Sequence, residues 1–297
     1  MKNAIPFFDS DLRKILGIPD QRQYEVFLQY KRFVEYLDGM DTLGRVLEMG
    51  SGYSTVLLAL FAEKGGCEVN TVDVSFDTVN RAVTGTIFEP FVKRNIHFLQ
   101  GATVSAEEFN SYFAERFRQK IGNVGFRELK LYLNNFIVKL IDMRKWDKLA
   151  GVLGHMPNVE ELINMFITDE GITFPQEIKG IYRQKGDEFD MYGDSNTSAV
   201  RGVIDPLLKD VNYFDAIFFD CGEFSGFPEW EKLHDAIRPG GVAIFHDIYF
   251  PKSFKNFMIC ASVMADPKWK VEHIDKSTPQ GMMIARKKLK GYKVNKI

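Results

Sequence analysis

The amino-acid sequence predicts an α/β fold with a doubly wound, mostly parallel sheet, a carboxy-terminal antiparallel hairpin and a helical insertion. Three observations support this prediction. Strand-like runs alternate with helical patterns in the first third of the chain. A glycine turn, Gly50-Ser51-Gly52, directly follows the first of these strands. Near the end of the chain, two strand-like runs are separated by a short polar turn.

The composition is that of an ordinary soluble globular protein. Hydrophobic residues make up 45% of the 297 residues and charged residues 26%, which is enough for a full core. The formal net charge of -2 gives no basic surface for general nucleic-acid binding. The three cysteines form no close pair, and no run is apolar and long enough to cross a membrane. We therefore expect a cytoplasmic protein that binds neither nucleic acid nor a membrane.

Helices and strands alternate from residue 20 onward. Residues 20–38 carry apolar side chains at helical spacing, and the run RVLEMG that follows is short and apolar, as a buried strand is. VLLALFA predicts a helix on the sheet, and a second strand ends at Asp73. A helix over 76–88 and the strand NIHFLQG come next. This order predicts a parallel sheet that binds ligands at the carboxyl ends of its strands.

The alternation is interrupted after the third strand. The next convincing strand, FDAIFFD, begins only at Phe214, much further along than a single crossover helix requires. We divide the chain into residues 1–121, with the N-terminal helix and the first half of the α/β domain, a helical insertion at 122–200, and residues 201–297, the second half. The insertion is expected either to extend the core or form a homodimer contact, or to act as a lid that recognises substrate.

The sequence after FDAIFFD returns to the sheet. PEWEKLHDAIRPGG predicts a helix stopped by Pro239-Gly240-Gly241, and VAIFHD predicts the next strand. KWKVEHID and GMMIARKK predict an antiparallel hairpin at the edge of the sheet.

The turn Gly50-Ser51-Gly52 departs from the two common phosphate-binding glycine motifs. A dinucleotide-binding G-x-G-x-x-G needs a third glycine where this chain has Thr55, and a Walker-type loop needs Gly-Lys-Ser/Thr, which is absent. The chain has instead an acid, Glu48, just before the first glycine. A carboxylate in this place is ill suited to a pyrophosphate and favours a cationic ligand.

The ordered set LEMGSGYST, VDVS, FDAIFFD and IRPGGVAIFHD, followed by the hairpin, resembles the class I S-adenosylmethionine-dependent methyltransferases. It is most similar to the small-molecule O-methyltransferases, whose last motif is G-G-x-x-x-x-H-D. The resemblance covers about two thirds of the chain and leaves out the insertion. It implies a seven-stranded Rossmann-like sheet, S-adenosylmethionine as the cofactor, and a small-molecule acceptor.

The resemblance also implies a set of cofactor-binding residues. Gly50, Ser51 and Gly52 would pass beneath the methionine part of the cofactor, and Glu48 would support that loop or the amino group. Asp73 would bind the two ribose hydroxyls, with a cap on the following helix as its alternative role. The set is completed by Tyr53, Thr55, Ala102, Thr103 and Asp220, of which Ala102 and Thr103 would lie on the adenine side. Packing over the loop is the alternative role of Tyr53.

Two arrangements would activate a hydroxyl acceptor. His246 is the candidate general base, because histidine titrates near neutral pH, and a structural role is its alternative. In the other arrangement, Asp220 and Asp247, with Glu223 nearby, would hold a divalent cation such as Mg²⁺, which prefers oxygen ligands. Neighbouring strand residues face opposite ways, so the two candidate catalytic residues, His246 and Asp247, are expected to have different roles.

The sequence therefore predicts an enzyme that transfers a methyl group from S-adenosylmethionine to a hydroxyl of a small molecule, such as a sugar or a related metabolite. Two alternatives stay open. One is an NAD-dependent oxidoreductase on a related sheet, and the other is a methyltransferase-like protein that binds its ligand or a partner without catalysis. The missing third glycine, Glu48 and the terminal hairpin argue against the oxidoreductase.

Overall fold

The computed structural model covers the two halves of the predicted α/β domain. It describes residues 9–18, 20–40, 43–65, 67–109, 111–112, 192, 202–210, 213–220, 222, 225–248, 256, 259–260, 263–264, 266–278 and 280–289. The predicted insertion at 122–200 lies outside the described residues except for Tyr192, so the domain division stays a prediction. Glu223, a candidate metal ligand, also lies outside them.

Seven strands and seven α-helices have both ends within the described residues, and residues 106–109, 111–112, 259–260 and 263–264 are also helical. In chain order they are α1 (Asp9–Ile15), α2 (Gln21–Asp38), β1 (Arg45–Met49), α3 (Tyr53–Gly65), β2 (Glu68–Asp73), α4 (Asp77–Val83), α5 (Glu89–Asn95), β3 (Ile96–Gln100), α6 (Ile204–Asp210), β4 (Phe214–Phe219), α7 (Gly226–Leu233), β5 (Ile237–His246), β6 (Trp269–Asp275) and β7 (Met282–Lys287), with a 3₁₀ turn over His234–Ala236. The side chain of Asp20 caps α2 by accepting a hydrogen bond from the Gln23 N–H at 2.8 Å.

The sheet confirms the predicted fold class. Its strand order is β3-β2-β1-β4-β5-β7-β6, with parallel pairing from β3 to β5 and antiparallel pairing of β7 with both β5 and β6. The chain order reverses between β1 and β4. In doubly wound sheets, ligands bind outside the carboxyl ends of the strands at such a reversal.

Alternation along the strands builds one core on each face of the sheet. Val46 and Phe218 pack with the buried residues of α2 and α3, whereas Leu47 and Phe219 pack with those of α7 on the other face. Every residue of β4 is buried, as expected for a strand covered by helices on both faces. The same alternation turns Glu48 of β1 toward the face that carries α2 and α3.

Two local predictions need correction. The helix predicted over 76–88 is shorter than expected, because α4 already ends at Val83, and a separate helix, α5, follows at Glu89–Asn95. The helix predicted to run to Pro239 ends at Leu233, and β5 already begins at Ile237. The Pro-Gly-Gly segment lies inside this strand at an irregularity in its pairing with β4. The backbone of β4 comes so close at this point that only glycine fits at position 241, because a Cβ there would lie 2.8 Å from the carbonyl oxygen of Asp215.

No helix within the described ranges is both long enough and apolar enough to cross a membrane.

Candidate functional site

A cavity of about 940 Å³ opens at the carboxyl ends of the strands, where the order of the sheet reverses. It is formed by one side of α2, the turn after β1, the ends of β2, β3 and β4, and the start of α7. The described lining residues are Asp20, Gln23, Val26, Tyr30, Gly50, Ser51, Gly52, Tyr53, Ser54, Val72, Asp73, Val74, Thr78, Gly101, Ala102, Thr103, Tyr192, Asp220, Gly222, Ser225, Glu229 and Gln280.

The glycine turn forms the wall of this cavity next to β1. Gly50 has φ +88°, a conformation that side chains with a Cβ rarely adopt, and its N–H donates to the carbonyl of Val72 at 2.9 Å. The next two residues extend the wall, and a Cβ on Gly52 would meet no atom of the described residues within 4 Å. The backbone conformation therefore favours glycine at position 50, whereas the described surroundings of Gly52 leave space for a side chain.

Glu48 and Thr55 lie behind the turn and do not line the cavity. The Thr55 hydroxyl accepts from the Gly52 N–H at 2.9 Å and donates to Glu48 Oε2 at 2.8 Å. The Thr71 hydroxyl donates to the same oxygen at 2.8 Å. This chain of hydrogen bonds connects β2, β1 and the turn. Direct contact of Glu48 or Thr55 with a ligand stays a prediction, while their contacts fit the loop-supporting role.

The carboxyl group of Glu48 is fully buried, and its Oε1 has no hydrogen-bond partner at normal distance among the described residues. Burial raises the pKa of Glu48 to about 7, although the hydroxyls of Ser54, Thr55 and Thr71 oppose the shift. A negative charge nearby, on Asp220, adds to the increase. The group behind the turn is therefore close to half-protonated at neutral pH.

Asp73 lies at the end of β2 and lines the cavity beside the turn. Its Oδ2 accepts from the N–H of Ser51 at 2.6 Å and from the Ser51 hydroxyl at 2.8 Å, and its Oδ1 accepts from the Ser75 N–H at 3.1 Å. The alternative role as a helix cap is wrong, because α4 begins only at Asp77 and is preceded by Phe76. Asp73 therefore lines the cavity and also fixes the glycine turn through its hydrogen bonds with Ser51.

Tyr53, Ala102 and Thr103 also line the cavity, as their predicted roles require. The ring of Tyr53 packs edge-on against Phe27 of α2 at 6.4 Å, so this side chain lines the cavity and also packs against the neighbouring helix. Ala102 and Thr103 are buried beyond the end of β3, and the carbonyl of Ala102 accepts from the Val203 N–H at 3.0 Å.

Asp220, His246 and Asp247 come together at the ends of β4 and β5. His246 Nδ1 lies 3.3 Å from Asp220 Oδ1 and 3.6 Å from Asp247 Oδ1. The expectation that His246 and Asp247 face opposite ways is wrong, because Asp247 lies just past the strand with φ +59°, where alternation no longer applies. Among the described residues, Asp220 lines the cavity, whereas His246 and Asp247 lie behind it.

These three side chains fit a divalent cation in type and spacing. One ligand atom from each lies within 4.8 Å of the others. Two carboxylates suit Mg²⁺, and the imidazole also suits transition metals. A ligating histidine usually donates its other N–H to a neighbouring acceptor, but His246 Nε2 is buried without a hydrogen-bond partner among the described residues. The three side chains are therefore suitable ligands for a divalent cation, although the described part of the chain shows no acceptor for the second ring nitrogen of His246.

Several lining residues were missed by motif comparison. Asp20, Gln23, Val26 and Tyr30 form one side of α2, at the three- and four-residue spacing that brings helical side chains to a common face. The Tyr30 hydroxyl donates to Asp220 Oδ2 at 2.7 Å. Burial, followed by the negative charge of Asp220, raises the pKa of Tyr30 well above its usual value, so the group stays a donor. The further lining residues Tyr192, Glu229 and Gln280 carried no motif signal.

The sequence matches no protein-family model and no curated protein. Several solved structures have a similar chain course. One is an O-methyltransferase from Bacillus cereus in complex with SAH, which is 14% identical to this chain. The match covers 95% of this chain and 93% of that chain, with a TM-score of 0.43. A putative O-methyltransferase from Klebsiella pneumoniae is 11% identical, with 96% and 92% covered and a TM-score of 0.41. An rRNA methylase from Streptococcus thermophilus is 10% identical, with 91% and 98% covered and a TM-score of 0.36.

These structures include methyltransferases of the class that the sequence resembles. At such identities and TM-scores, the likeness establishes no acceptor and no role for any residue. The fold class rests on the strand order and pairing of this chain itself.

Proposed function

We propose that this protein is an S-adenosylmethionine-dependent methyltransferase that acts on a hydroxyl of a small molecule, such as a sugar or a related metabolite. One observation carries the proposal. The cavity at the reversal of the sheet is lined by the glycine turn after β1, by Asp73 at the end of β2 and by Asp220 at the end of β4. The turn and Asp73 would hold the methyl donor, and Asp220 lies on the side where an acceptor would approach.

The charge of the cavity supports this donor over a dinucleotide. Its described lining includes four carboxylates, on Asp20, Asp73, Asp220 and Glu229, and no lysine or arginine. S-adenosylmethionine carries a sulfonium cation, whereas NAD would bring an anionic pyrophosphate to the same place, next to negative charge. The antiparallel β7 between β5 and β6 also differs from the parallel order of the common dinucleotide fold.

Each part of the donor has matching residues in this arrangement. Asp73 offers carboxylate oxygens to the ribose hydroxyls, and Ala102 and Thr103 lie beyond β3 for the adenine. Gly50, with its left-handed φ, brings backbone close to the methionine part without a side chain in the way.

The reaction is an in-line displacement. The acceptor oxygen forms a bond to the methyl carbon while the carbon–sulfur bond breaks, and its electron pair stays on sulfur to give a neutral thioether. The hydroxyl proton passes to a base, for which His246 is our candidate; because His246 does not line the cavity, the proton would reach it through Asp220, whose Oδ1 lies 3.3 Å from His246 Nδ1. A divalent cation such as Mg²⁺, if held by Asp220 and Asp247, would supply a Lewis acid that lowers the pKa of the acceptor hydroxyl. The residues of the chain would mainly orient the two reactants and exclude water.

The acceptor would bind on the side of the cavity formed by α2, Asp220 and Gln280, which we name the acceptor side. The volume of about 940 Å³ lies near the upper end of small-ligand sites. It leaves room for an acceptor beside a donor of nucleoside size. The hydrogen-bonding side chains of Gln23, Tyr30 and Gln280 suit a hydroxyl-rich molecule.

Calorimetry with S-adenosylmethionine, S-adenosylhomocysteine and NAD tests the choice of donor. We expect binding of both adenosyl ligands and none of NAD, and Asp73→Ala should abolish adenosyl binding. Glu68→Gln is the matched control, because this half-exposed acid lies at the opposite end of the same strand. Binding of NAD alone, or unchanged adenosyl binding by Asp73→Ala, would contradict the proposal.

Transfer of labelled methyl groups tests the acceptor class. S-adenosylmethionine labelled in the methyl group would be incubated with the protein and with separate panels of monosaccharides, catechols, amines and RNA, each with EDTA or with added Mg²⁺. We expect transfer to a hydroxylated small molecule. Transfer to RNA or to amines alone would overturn the acceptor class while leaving the donor in place.

A further inference from the structure

Helix α2 brings a tyrosine hydroxyl to the strand ends at the acceptor side. The oxygen of Tyr30 lies 2.7 Å from Asp220 Oδ2 and 3.3 Å from His246 Nδ1. Its ring packs edge-on against Phe218 at 5.7 Å and in a tilted arrangement against the His246 ring at 4.8 Å. Because Tyr30 is packed between strand side chains while it lines the cavity, its hydroxyl has a fixed position.

The hydroxyl group of Tyr30 has two neighbours within hydrogen-bonding distance, the Asp220 carboxylate, which accepts, and His246 Nδ1, whose role depends on the tautomer. The carboxylate is closer by 0.6 Å (3.3 Å less 2.7 Å) and carries the stronger charge-assisted hydrogen bond. Asp220 Oδ2 is therefore held by Tyr30, while Oδ1 lies 3.3 Å from His246 Nδ1. Both oxygens of the carboxylate that lines the cavity are thus engaged by neighbouring side chains.

The backbone beneath this carboxylate is also fixed. The buried side-chain amide of Asn256 donates to the carbonyls of Phe219 at 2.9 Å and His246 at 2.6 Å, which ties the ends of β4 and β5 together. With its backbone held, Asp220 can change direction only by rotation of its side chain. The hydrogen bond from Tyr30 opposes that rotation.

We propose that Tyr30 is a positioning residue, which orients the Asp220 carboxylate at the cavity wall so that it accepts a hydrogen bond from the acceptor hydroxyl. This proposal rests on the proposed methyl transfer and gives α2 a part in the reaction. Tyr30 acts through Asp220, so its loss should lower the rate of transfer and leave the binding of the methyl donor intact.

Tyr30→Phe removes the hydroxyl and keeps the packed ring. We expect kcat for transfer to the best acceptor of the panels to fall about tenfold, as for the loss of a hydrogen bond to a charged group. The KM for S-adenosylmethionine and the Kd for S-adenosylhomocysteine should stay within about twofold of the original values. Tyr36→Phe is the matched control, because the Tyr36 hydroxyl on the same helix donates to the Glu272 carboxylate, outside the described lining of the cavity. Its kcat should stay unchanged.

A double-mutant cycle separates positioning from a general structural role. If Tyr30 acts through Asp220, adding Tyr30→Phe to Asp220→Ala, which removes the accepting oxygens, should change kcat by less than about twofold. Effects that multiply in the double variant would overturn the proposal, as would a kcat of Tyr30→Phe equal to that of the unmodified protein. Failure of the unmodified protein to bind S-adenosylmethionine would instead overturn the proposed function, so the two failures are distinguishable.

Discussion

Replacing Glu48 with glutamine should alter how the stability of this protein depends on pH. The buried carboxyl group has a pKa raised from 4.5 to about 7, chiefly by burial. Since the folded protein holds this proton more tightly than the unfolded chain, the stabilising contribution is fully present below about pH 4.5. It is lost as the pH rises through about 7. A glutamine at this position is neutral throughout and has no such dependence.

The size of this effect on the free energy of unfolding follows from the increase in the pKa of Glu48. At about 1.4 kcal/mol for each pKa unit, an increase from 4.5 to about 7 corresponds to about 3.5 kcal/mol in total. Between pH 5 and pH 8, the free energy of unfolding of the unmodified protein should therefore fall by about 2.5 kcal/mol relative to that of Glu48→Gln. The comparison is a difference between two pH values, so a constant effect of the amide on the hydrogen bonds from Thr55 and Thr71 cancels.

Equilibrium unfolding in urea at pH 5, 6, 7 and 8 measures this difference. Glu68→Gln serves as the control, because this acid is half-exposed and its ion pair with Arg45 should contribute at most about 1 kcal/mol. A stability difference between Glu48→Gln and the unmodified protein that stays constant over the pH range would refute the reasoning. It would mean that Glu48 is ionised as easily in the folded protein as in the unfolded chain.

Substitutions at three further positions test the turn and the strand ends. Gly50→Ala should destabilise the protein by about 1–2 kcal/mol in urea unfolding, because φ is +88° there. Gly52→Ala should leave the stability unchanged, because no atom of the described residues lies within 4 Å of the added Cβ. It should weaken the binding of S-adenosylhomocysteine at least about tenfold in calorimetry, because Gly52 lines the cavity. Asn256→Asp should be more destabilising than Asn256→Ala, because a carboxylate would face the carbonyls of Phe219 and His246. Equal stability of the two Asn256 variants would contradict that account.

The sequence predicted the sheet well because burial on both faces leaves a strong signal. The runs that became β1 and β4 are short and almost wholly apolar, and the glycine turn after β1 marks where the first strand ends. Residues fixed by this pattern, such as Gly50, Asp73 and Asp220, lie at the cavity as expected.

The site residues that the sequence did not predict depend on three-dimensional packing, which a linear pattern does not encode. Tyr30 fits the apolar stripe of α2, and helical periodicity does not say which strand ends the helix will lie against. Asp247 could not be placed by strand alternation, because the strand ends at His246 and the next residue turns with φ +59°. Gln280 lines the cavity from the turn between β6 and β7, which is far from any motif.

The two halves of the cavity share one structural principle. On the side where we propose that the methyl donor binds, Asp73 at the end of β2 accepts a hydrogen bond from the Ser51 hydroxyl of the glycine turn. On the acceptor side, Asp220 at the end of β4 is held by the Tyr30 hydroxyl of α2. Each carboxylate is therefore oriented by a different segment of the chain. Changes in α2 could then alter the acceptor side while the donor half is kept, which is how one sheet can serve different acceptors.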